Sequence, residues 1–301
     1  MMTKDGVERM AGGAPRAAEL RFPVPGGAVL LDPAVWPAVL GADTPVAEAA
    51  SRSPDELFEP DFWAGRGECA AVTGGRGAAW FVGSAPREWV LRHYRRGGLV
   101  AHLSADAYVW AGERRVRAFA EWRLLEHLAS RGLPVPQPIG ARYRRRGSVY
   151  RCDLITRRIA GARALSALLA DGAVADRVWS DIGAVIRRLH AAGADHADLN
   201  AHNILLDATG GVSVVDFDRG RLRATVAPAT VAPAAAAPAT AAPATAAEVT
   251  QPPAAGDRTA PAWAARNLAR LHRSLVKVSR DLPPDRFTAV AWARLLAGYG
   301  A

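Results

Sequence analysis

Cysteine is nearly missing from this 301-residue chain, with Cys69 and Cys152 its only two. Two thiols are too few for a disulfide framework or a structural zinc site, so a small stapled extracellular scaffold is excluded and a reducing compartment is expected. Long apolar runs are also lacking. No segment approaches the roughly 20 uninterrupted apolar residues that cross a bilayer, and Met1-Met2-Thr3-Lys4-Asp5-Gly6 is not followed by an apolar signal core. The expected location is cytoplasmic. Charge is missing from one stretch altogether: residues 224–247 are Ala, Pro, Thr and Val, with proline at 228, 233, 238 and 243. Proline at that interval excludes a continuous helix, and an insertion without a catalytic part, disordered or polyproline-like, is expected over 224–260.

Half of the residues are hydrophobic, enough for a sizeable core in one large or two modest domains. Lysine and arginine exceed the acids by nine, 38 against 29. Such a surplus fits nucleic acid, an anionic membrane surface or an acidic small molecule, and charge alone does not choose among them. Arg142, Arg144, Arg145, Arg146 and Arg151 form a dense cluster, read either as a solvated basic loop or as a surface drawn to anionic headgroups.

The most informative stretch is His196-Ala197-Asp198-Leu199-Asn200-Ala201-His202-Asn203-Ile204-Leu205, followed by Asp216-Phe217-Asp218. Phosphoryl transfer from a nucleotide needs one carboxylate at the acceptor hydroxyl, and a second carboxylate plus an amide oxygen to hold Mg²⁺ against the phosphates. The Asp-x-x-x-x-Asn spacing and the later Asp-Phe supply that set. Asp198 would face the acceptor, with Asn203 and Asp216 as metal ligands. The apolar runs Ile204-Leu205-Leu206 and Val212-Ser213-Val214-Val215 flank the turn signal Asp207-Ala208-Thr209-Gly210-Gly211, which predicts a β-hairpin with Asn203 and Asp216 at its open end. A surface hairpin whose acids merely cap turns is the plainer reading, and a less favoured one.

Upstream, residues 1–50 are rich in Ala, Gly and Pro and are expected to form an irregular N-terminal segment. Thr73 to Val82 and Glu88 to Tyr94 predict two strands of a hairpin, the first opened by a glycine turn. Gly75 and Gly77 would let backbone N–H groups approach phosphate oxygens. Arg92 or His93 stands where a cation would reach the phosphates, and Arg92 is favoured. Glu113 to Arg131 predicts an amphipathic helix with Val116, Ala120, Leu124 and Leu128 on one face. At its middle is Glu121, placed to hold the phosphate-binding cation; a plain helix pair with Arg117 is the alternative. Tyr150 to Thr156 predicts a strand, Asp176 to Ala192 a helix, a further helix begins near Trp263 with Leu268, Leu271, Leu275 and Val278 on one face, and a last helix carries Phe287, Val290 and Leu295. The sum is an α+β fold of two lobes. A small β-rich N-lobe over 51–158 and a mainly helical C-lobe over 159–301 would meet at the chemistry, as in protein kinases.

These motifs resemble those of the 3-deoxy-D-manno-octulosonic acid (Kdo) kinases of lipopolysaccharide assembly, relatives of the heptose kinases and, more distantly, of protein kinases. The likeness spans about Thr73 to Arg280. It rests on Gly75-Arg76-Gly77 with Trp80-Phe81-Val82, Leu91 to Gly98, Leu133-Pro134-Val135-Pro136, the His196 run, Asp216 to Gly220, and Asn267-Leu268 through Arg273-Ser274-Leu275. The resemblance implies ATP-dependent phosphorylation of the 4-hydroxyl of Kdo on a Kdo–lipid A precursor, by a peripheral protein on the cytoplasmic face of the inner membrane. It also implies Asp198 as acid/base, Asn203 and Asp216 as Mg²⁺ ligands, and Arg92 with Glu121 in place of the usual lysine–glutamate pair. The proline-rich insertion departs from the family pattern.

The residues argue separately for a non-protein acceptor. Ala197 stands where kinases regulated by activation-loop phosphorylation carry arginine, and no Ala-Pro-Glu follows Asp216. An acidic sugar would suit the arginine surplus, with Arg95, Arg96 and Arg144 to Arg146 as candidate contacts. No nucleic-acid partner is expected. Asp218, where glycine is usual, would pair with Arg219 or assist a second metal, and His196 reads as a structural residue behind the loop. Two alternatives stay open: a kinase of another small molecule such as an aminoglycoside, choline or heptose, and a catalytically dead kinase fold that binds a membrane or nucleic acid.

Overall fold

The computed structural model describes residues 20–33, 35, 39, 52–72, 79–95, 106–224 and 261–300. Gly75, Gly77 and Arg96, and the alanine–proline tract from 225 onward, lie outside the described residues.

The N-terminal half is an antiparallel sheet. Its strands are β1 (Leu20–Val24), β2 (Gly27–Leu31), β3 (Cys69–Ala71), β4 (Ala79–Val82), β5 (Trp89–His93), β6 (Tyr108–Val109), β7 (Pro138–Arg146) and β8 (Val149–Arg157). They run in the order β1-β2-β7-β8-β5-β4-β3, with β6 beside β8. Both faces are covered. On one, helix α2 (Arg117–Ala129) packs Phe119, Leu125 and Leu128 against Leu30, Ala141, Tyr143 and Leu154. On the other, a 3₁₀ turn (Pro54–Phe58) and helix α1 (Pro60–Ala64) press Leu57, Phe58 and Trp63 onto Val29, Leu31, Leu91 and Ile155.

Within the stretch 1–50, expected to be irregular, residues 20–24 and 27–31 are instead regular strands of the sheet. Ala28, Val29, Leu30 and Leu31 are all 0% exposed, so β2 reads as an unbroken apolar run rather than an alternating one. Pro23 is tolerated because β1 is an edge strand. The arginine cluster is corrected too: Arg142, Arg144, Arg145 and Arg146 belong to β7 and Arg151 to β8, not to a loop. Arg142 is buried, and acids from a distant segment compensate it: its guanidinium donates to Asp55 at 3.1 Å, Glu59 at 2.6 Å and Asp153 at 2.9 Å.

Helix α2 starts later than its sequence implies. Glu113 is drawn to Arg21 and Tyr143, 2.9 and 2.8 Å away, Val116 is extended at ψ 124°, and only from Arg117 does the helix run. Val116, Leu124 and Leu128 are buried as expected, while Ala120 is exposed.

The C-terminal half is mainly helical. It contains β9 (Arg163–Ala164), α3 (Leu165–Asp171), α4 (Asp176–Ala191), β10 (Ala194–Asp195), β11 (Ile204–Leu206), β12 (Val212–Val214), β13 (Arg221–Leu222), α5 (Ala262–Ser279) and α6 (Ala289–Tyr299). Helix α4 turns Val178, Ile182, Ile186 and Leu189 into the core, the face its 3.6-residue spacing predicts. It crosses α6 so closely that a Cβ on Gly183 would fall 2.0 Å from the Leu295 carbonyl oxygen, and one on Gly298 2.0 Å from that of Ser180. Phe287 precedes α6, whose start is capped by the Thr288 hydroxyl accepting from Ala291 N–H, and Val290 is exposed. A β-rich lobe and a helical lobe thus form a two-lobed, protein-kinase-like fold. No helix among the described residues is long and apolar enough to cross a membrane.

Candidate active site

The hairpin of β11 and β12 pairs Ile204 with Val214 and Leu206 with Val212. Just outside it, Val215 N–H donates to the Asn203 carbonyl at 2.9 Å, so Asn203 and Asp216 leave the hairpin at the same open end. The Asn203 side chain is itself fixed, its Nδ2 donating to the Asp198 carbonyl at 3.0 Å. That bond reserves Nδ2 for the loop and leaves Oδ1 as an acceptor. Asn200 tightens the same turn, its Oδ1 accepting from His202 and Asn203 N–H and its Nδ2 donating to the Asp198 carboxylate at 3.1 Å. The Asp198 side chain is 61% exposed. It faces solvent, as a group that must meet an incoming hydroxyl requires.

His196 stands behind this loop. Its Nε2–H donates to the Val215 carbonyl at 3.0 Å and its Nδ1 accepts from Asp198 N–H at 3.1 Å, which fixes one neutral tautomer. Burial lowers its pKa, so it stays uncharged. It ties the Asp198–Asn203 loop to the strand leading into Asp216 and packs on Phe217, with ring centroids 4.6 Å apart.

Asp216 itself has φ 62°, a left-handed conformation uncommon outside glycine but more open to aspartate than to most side chains, and one found often at functional sites. Its carboxylate accepts from Arg92 on β5. Arg92 also donates to buried Glu121 of α2 at 2.5 Å and to the Tyr94 hydroxyl at 3.0 Å, and Tyr94 in turn donates to Glu121 at 2.5 Å. Burial disfavours the Arg92 charge, but Glu121, Tyr94 and Asp216 outweigh it and hold its pKa well above the ordinary value. Burial likewise opposes ionisation of Asp216, and the adjoining guanidinium reverses that, leaving the carboxyl below its usual range. Glu121 is deeper still, and burial pushes it up to about 7 against the pull of Arg92. One arginine therefore joins the sheet, α2 and the Asp216 loop.

A second tie was not foreseen. Arg117, one turn before Glu121, donates through Nε to Asp218 at 2.8 Å, so Asp218 pairs with α2 rather than with Arg219, and Arg117 pairs with Asp218 rather than with Glu121. Sequence spacing could not reveal a pair separated by 101 residues. Gly220 closes the segment where a Cβ would fall 2.8 Å from Leu124, so the loop lies directly on α2.

Asn203 and Asp216 offer one amide and one ionised carboxylate oxygen, hard donors of the kind Mg²⁺ takes alongside phosphate oxygens and water. No group of three His, Cys, Asp or Glu that could hold a metal is present among the described residues. Any ion here would thus depend on its phosphate ligand as much as on the protein. The residues fit a nucleotide-bound Mg²⁺ better than a resident metal.

Fold and geometry define a two-lobed kinase-like phosphotransferase. The comparison with known proteins agrees: the chain belongs to the lipopolysaccharide kinase (Kdo/WaaP) family, whose pattern matches residues 60–232. It is 43% identical over 229 residues to the 3-deoxy-D-manno-octulosonic acid kinase of Xylella fastidiosa (strain 9a5c), covering 76% of this chain and 78% of that protein. Over 251 residues it is 45% identical to the enzyme of the same name from Xanthomonas campestris pv. campestris (strain B100), covering 79% and 85%. Over 224 residues it is 42% identical to that of Stenotrophomonas maltophilia (strain K279a), covering 74% and 75%. The protein is an enzyme of the phosphotransferase class.

Proposed function

We propose that this protein transfers the γ-phosphoryl group of ATP to the 4-hydroxyl of Kdo on a Kdo–lipid A precursor, working as a peripheral protein at the cytoplasmic face of the inner membrane. The observation that carries the reading is the junction of Arg92 with Glu121 and Asp216 beside the Asp198–Asn203 loop, in a chain whose relatives are named Kdo kinases. Asp198, exposed at the loop tip, orients the acceptor hydroxyl and receives its proton as the phosphorus–oxygen bond forms. Arg92, held by Glu121, neutralises phosphate oxygens and fixes the Asp216 loop. Mg²⁺ bound with the nucleotide would be held by Asn203 and Asp216, and it supplies charge neutralisation to the phosphates. His196, neutral and doubly hydrogen-bonded, keeps the two loops in register. Gly75 and Gly77 would bring backbone N–H groups to the nucleotide phosphates.

The test is a transfer assay with purified protein, ATP, Mg²⁺ and Kdo–lipid A, the product read by mass spectrometry and phosphorus NMR. One added phosphate, coupled to the proton at carbon 4 of Kdo, is the expected result. Phosphate on a heptose, an aminoglycoside or choline, with Kdo–lipid A inert, would replace the acceptor while keeping the enzyme class.

A further inference from the structure

The Asn267 to Leu275 motif has no part in the chemistry above, and its spacing is informative. Asn267, Arg270 and Ser274 occur at i, i+3 and i+7 of α5, hence on one side of the helix. Each meets the catalytic loop in turn. Asn267 Oδ1 accepts from His196 N–H at 3.0 Å, Arg270 Nη1 lies 3.6 Å from Asp198 Oδ1, and the Ser274 hydroxyl accepts from Ala201 N–H at 3.1 Å. Asn267 and Ser274 are braces. Arg270 differs, because at 3.6 Å it is too far for a closed hydrogen bond, its side chain is half exposed, and among the described residues Asp198 is its one ionic partner.

The loop from His196 to Asn203 contains no lysine or arginine of its own. Arg266 and Arg273, at i−4 and i+3 from Arg270, are exposed and make no ion pair among the described residues. The three arginines span about 10 Å of the helix axis at 1.5 Å rise per residue, on the side that passes the proposed catalytic base. Two arginines of β7 are poor competitors for this task. Arg142 and Arg144 are engaged by Asp55 and Glu59, on the face of the sheet opposite Arg92.

We propose that the Arg266–Arg270–Arg273 stripe of α5 is the acceptor's anion site, with Arg270 gripping a sugar carboxylate so that the neighbouring hydroxyl is delivered to Asp198. The inference rests on the acidic-sugar acceptor of the preceding section. A guanidinium fork suits a carboxylate, and such a charged contact contributes enough to change acceptor affinity roughly 10- to 100-fold.

The experiment is a two-by-two cycle: wild type and Arg270→Gln, each assayed with Kdo–lipid A and with the same acceptor whose Kdo carboxylate is converted to the neutral amide. The expected result is a roughly 10- to 100-fold loss of kcat/KM for either change alone, carried mainly by the acceptor KM, little further loss when both are made, and an unchanged KM for ATP. Arg270→Lys should recover part of the loss, and Arg273→Gln should cost less than Arg270→Gln. Equal losses on both acceptors, or a loss confined to kcat, would overturn the proposal and assign Arg270 to the phosphoryl group or to positioning Asp198. An active wild type indifferent to Arg270 would overturn this inference alone. A wild type inert on Kdo–lipid A but active on an uncharged acceptor would overturn the acidic-sugar reading and this inference with it.

Discussion

Arg92 and His93 are neighbours on β5, and the pleat sends them to opposite faces of one sheet, each into a cluster of charges. On the inner face Arg92 joins Glu121, Tyr94 and Asp216. On the outer face His93 meets Asp153 at 2.6 Å and Asp106 at 3.3 Å, and Asp153 passes the contact on to Arg142, which also bonds Asp55 and Glu59. Both clusters couple elements distant in sequence. The inner one ends at the exposed side of a carboxylate in a left-handed backbone, next to the catalytic loop; the outer one ends in the segment that clamps α1 to the sheet. On the proposed function, similar charge chemistry serves reaction on one side and cohesion on the other, and what separates them is where each chain of contacts terminates.

The largest expected effects break the inner cluster. Asp198→Ala and Asp216→Ala should each lower kcat on the order of 10³-fold or more, with melting close to wild type for Asp198→Ala, whose side chain is well exposed, and lower for Asp216→Ala, which removes a partner of Arg92 and puts alanine at a positive φ. Wild-type turnover in either variant would remove its assigned role. Next, Arg92→Met should lower kcat on the order of 10²-fold, with Arg92→Lys recovering part of it, measured as initial rates at saturating ATP.

Breaking the outer cluster should reverse the pattern. Arg142→Met takes away the buried cation that Asp55, Glu59 and Asp153 share and should cost about 3 kcal/mol in urea-monitored stability, with kcat/KM of the folded enzyme within about twofold of wild type. A large fall in kcat at unchanged stability would show that the two faces are not independent.

A smaller effect concerns pH. Hydrogen bonding to Asp153 raises the His93 pKa above its ordinary 6.5 against the opposing effect of burial, with Asp106 adding to the shift. The folded state therefore holds a proton that the unfolded chain releases. The His93 contribution is full below about pH 6.5 and is lost as pH rises through the raised value. His93→Gln should flatten that part of the stability-against-pH curve while leaving the rate profile unaltered. The smallest effect belongs to surface pairs outside both clusters: Arg158→Ala, which breaks an exposed bond to Glu88, should change stability by less than about 1 kcal/mol.

Much of the candidate site's local geometry was legible in the sequence because its parts are close along the chain. The Asp198–Asn203 spacing, the Gly210-Gly211 turn and the apolar runs either side of it specify a loop and hairpin without help from the rest of the chain, and the face of α4 follows from its period. What stayed hidden depends on partners far along the chain. β7 looked like a basic loop because its arginines are matched by Asp55 and Glu59, more than eighty residues earlier. β2 showed no alternation because both its faces are covered, and Glu113 left the helix for Arg21. Arg117 and Asp218 each had a nearer plausible partner, so burial and geometry were needed to choose.

The most direct test of the account is transfer of radiolabelled γ-phosphate to Kdo–lipid A by Asp216→Ala, run beside its thermal melt and beside Arg142→Met. The account predicts no detectable product from Asp216→Ala and near-normal product from the destabilised Arg142→Met, each assayed below its own melting temperature. Product at the wild-type rate from Asp216→Ala would contradict it.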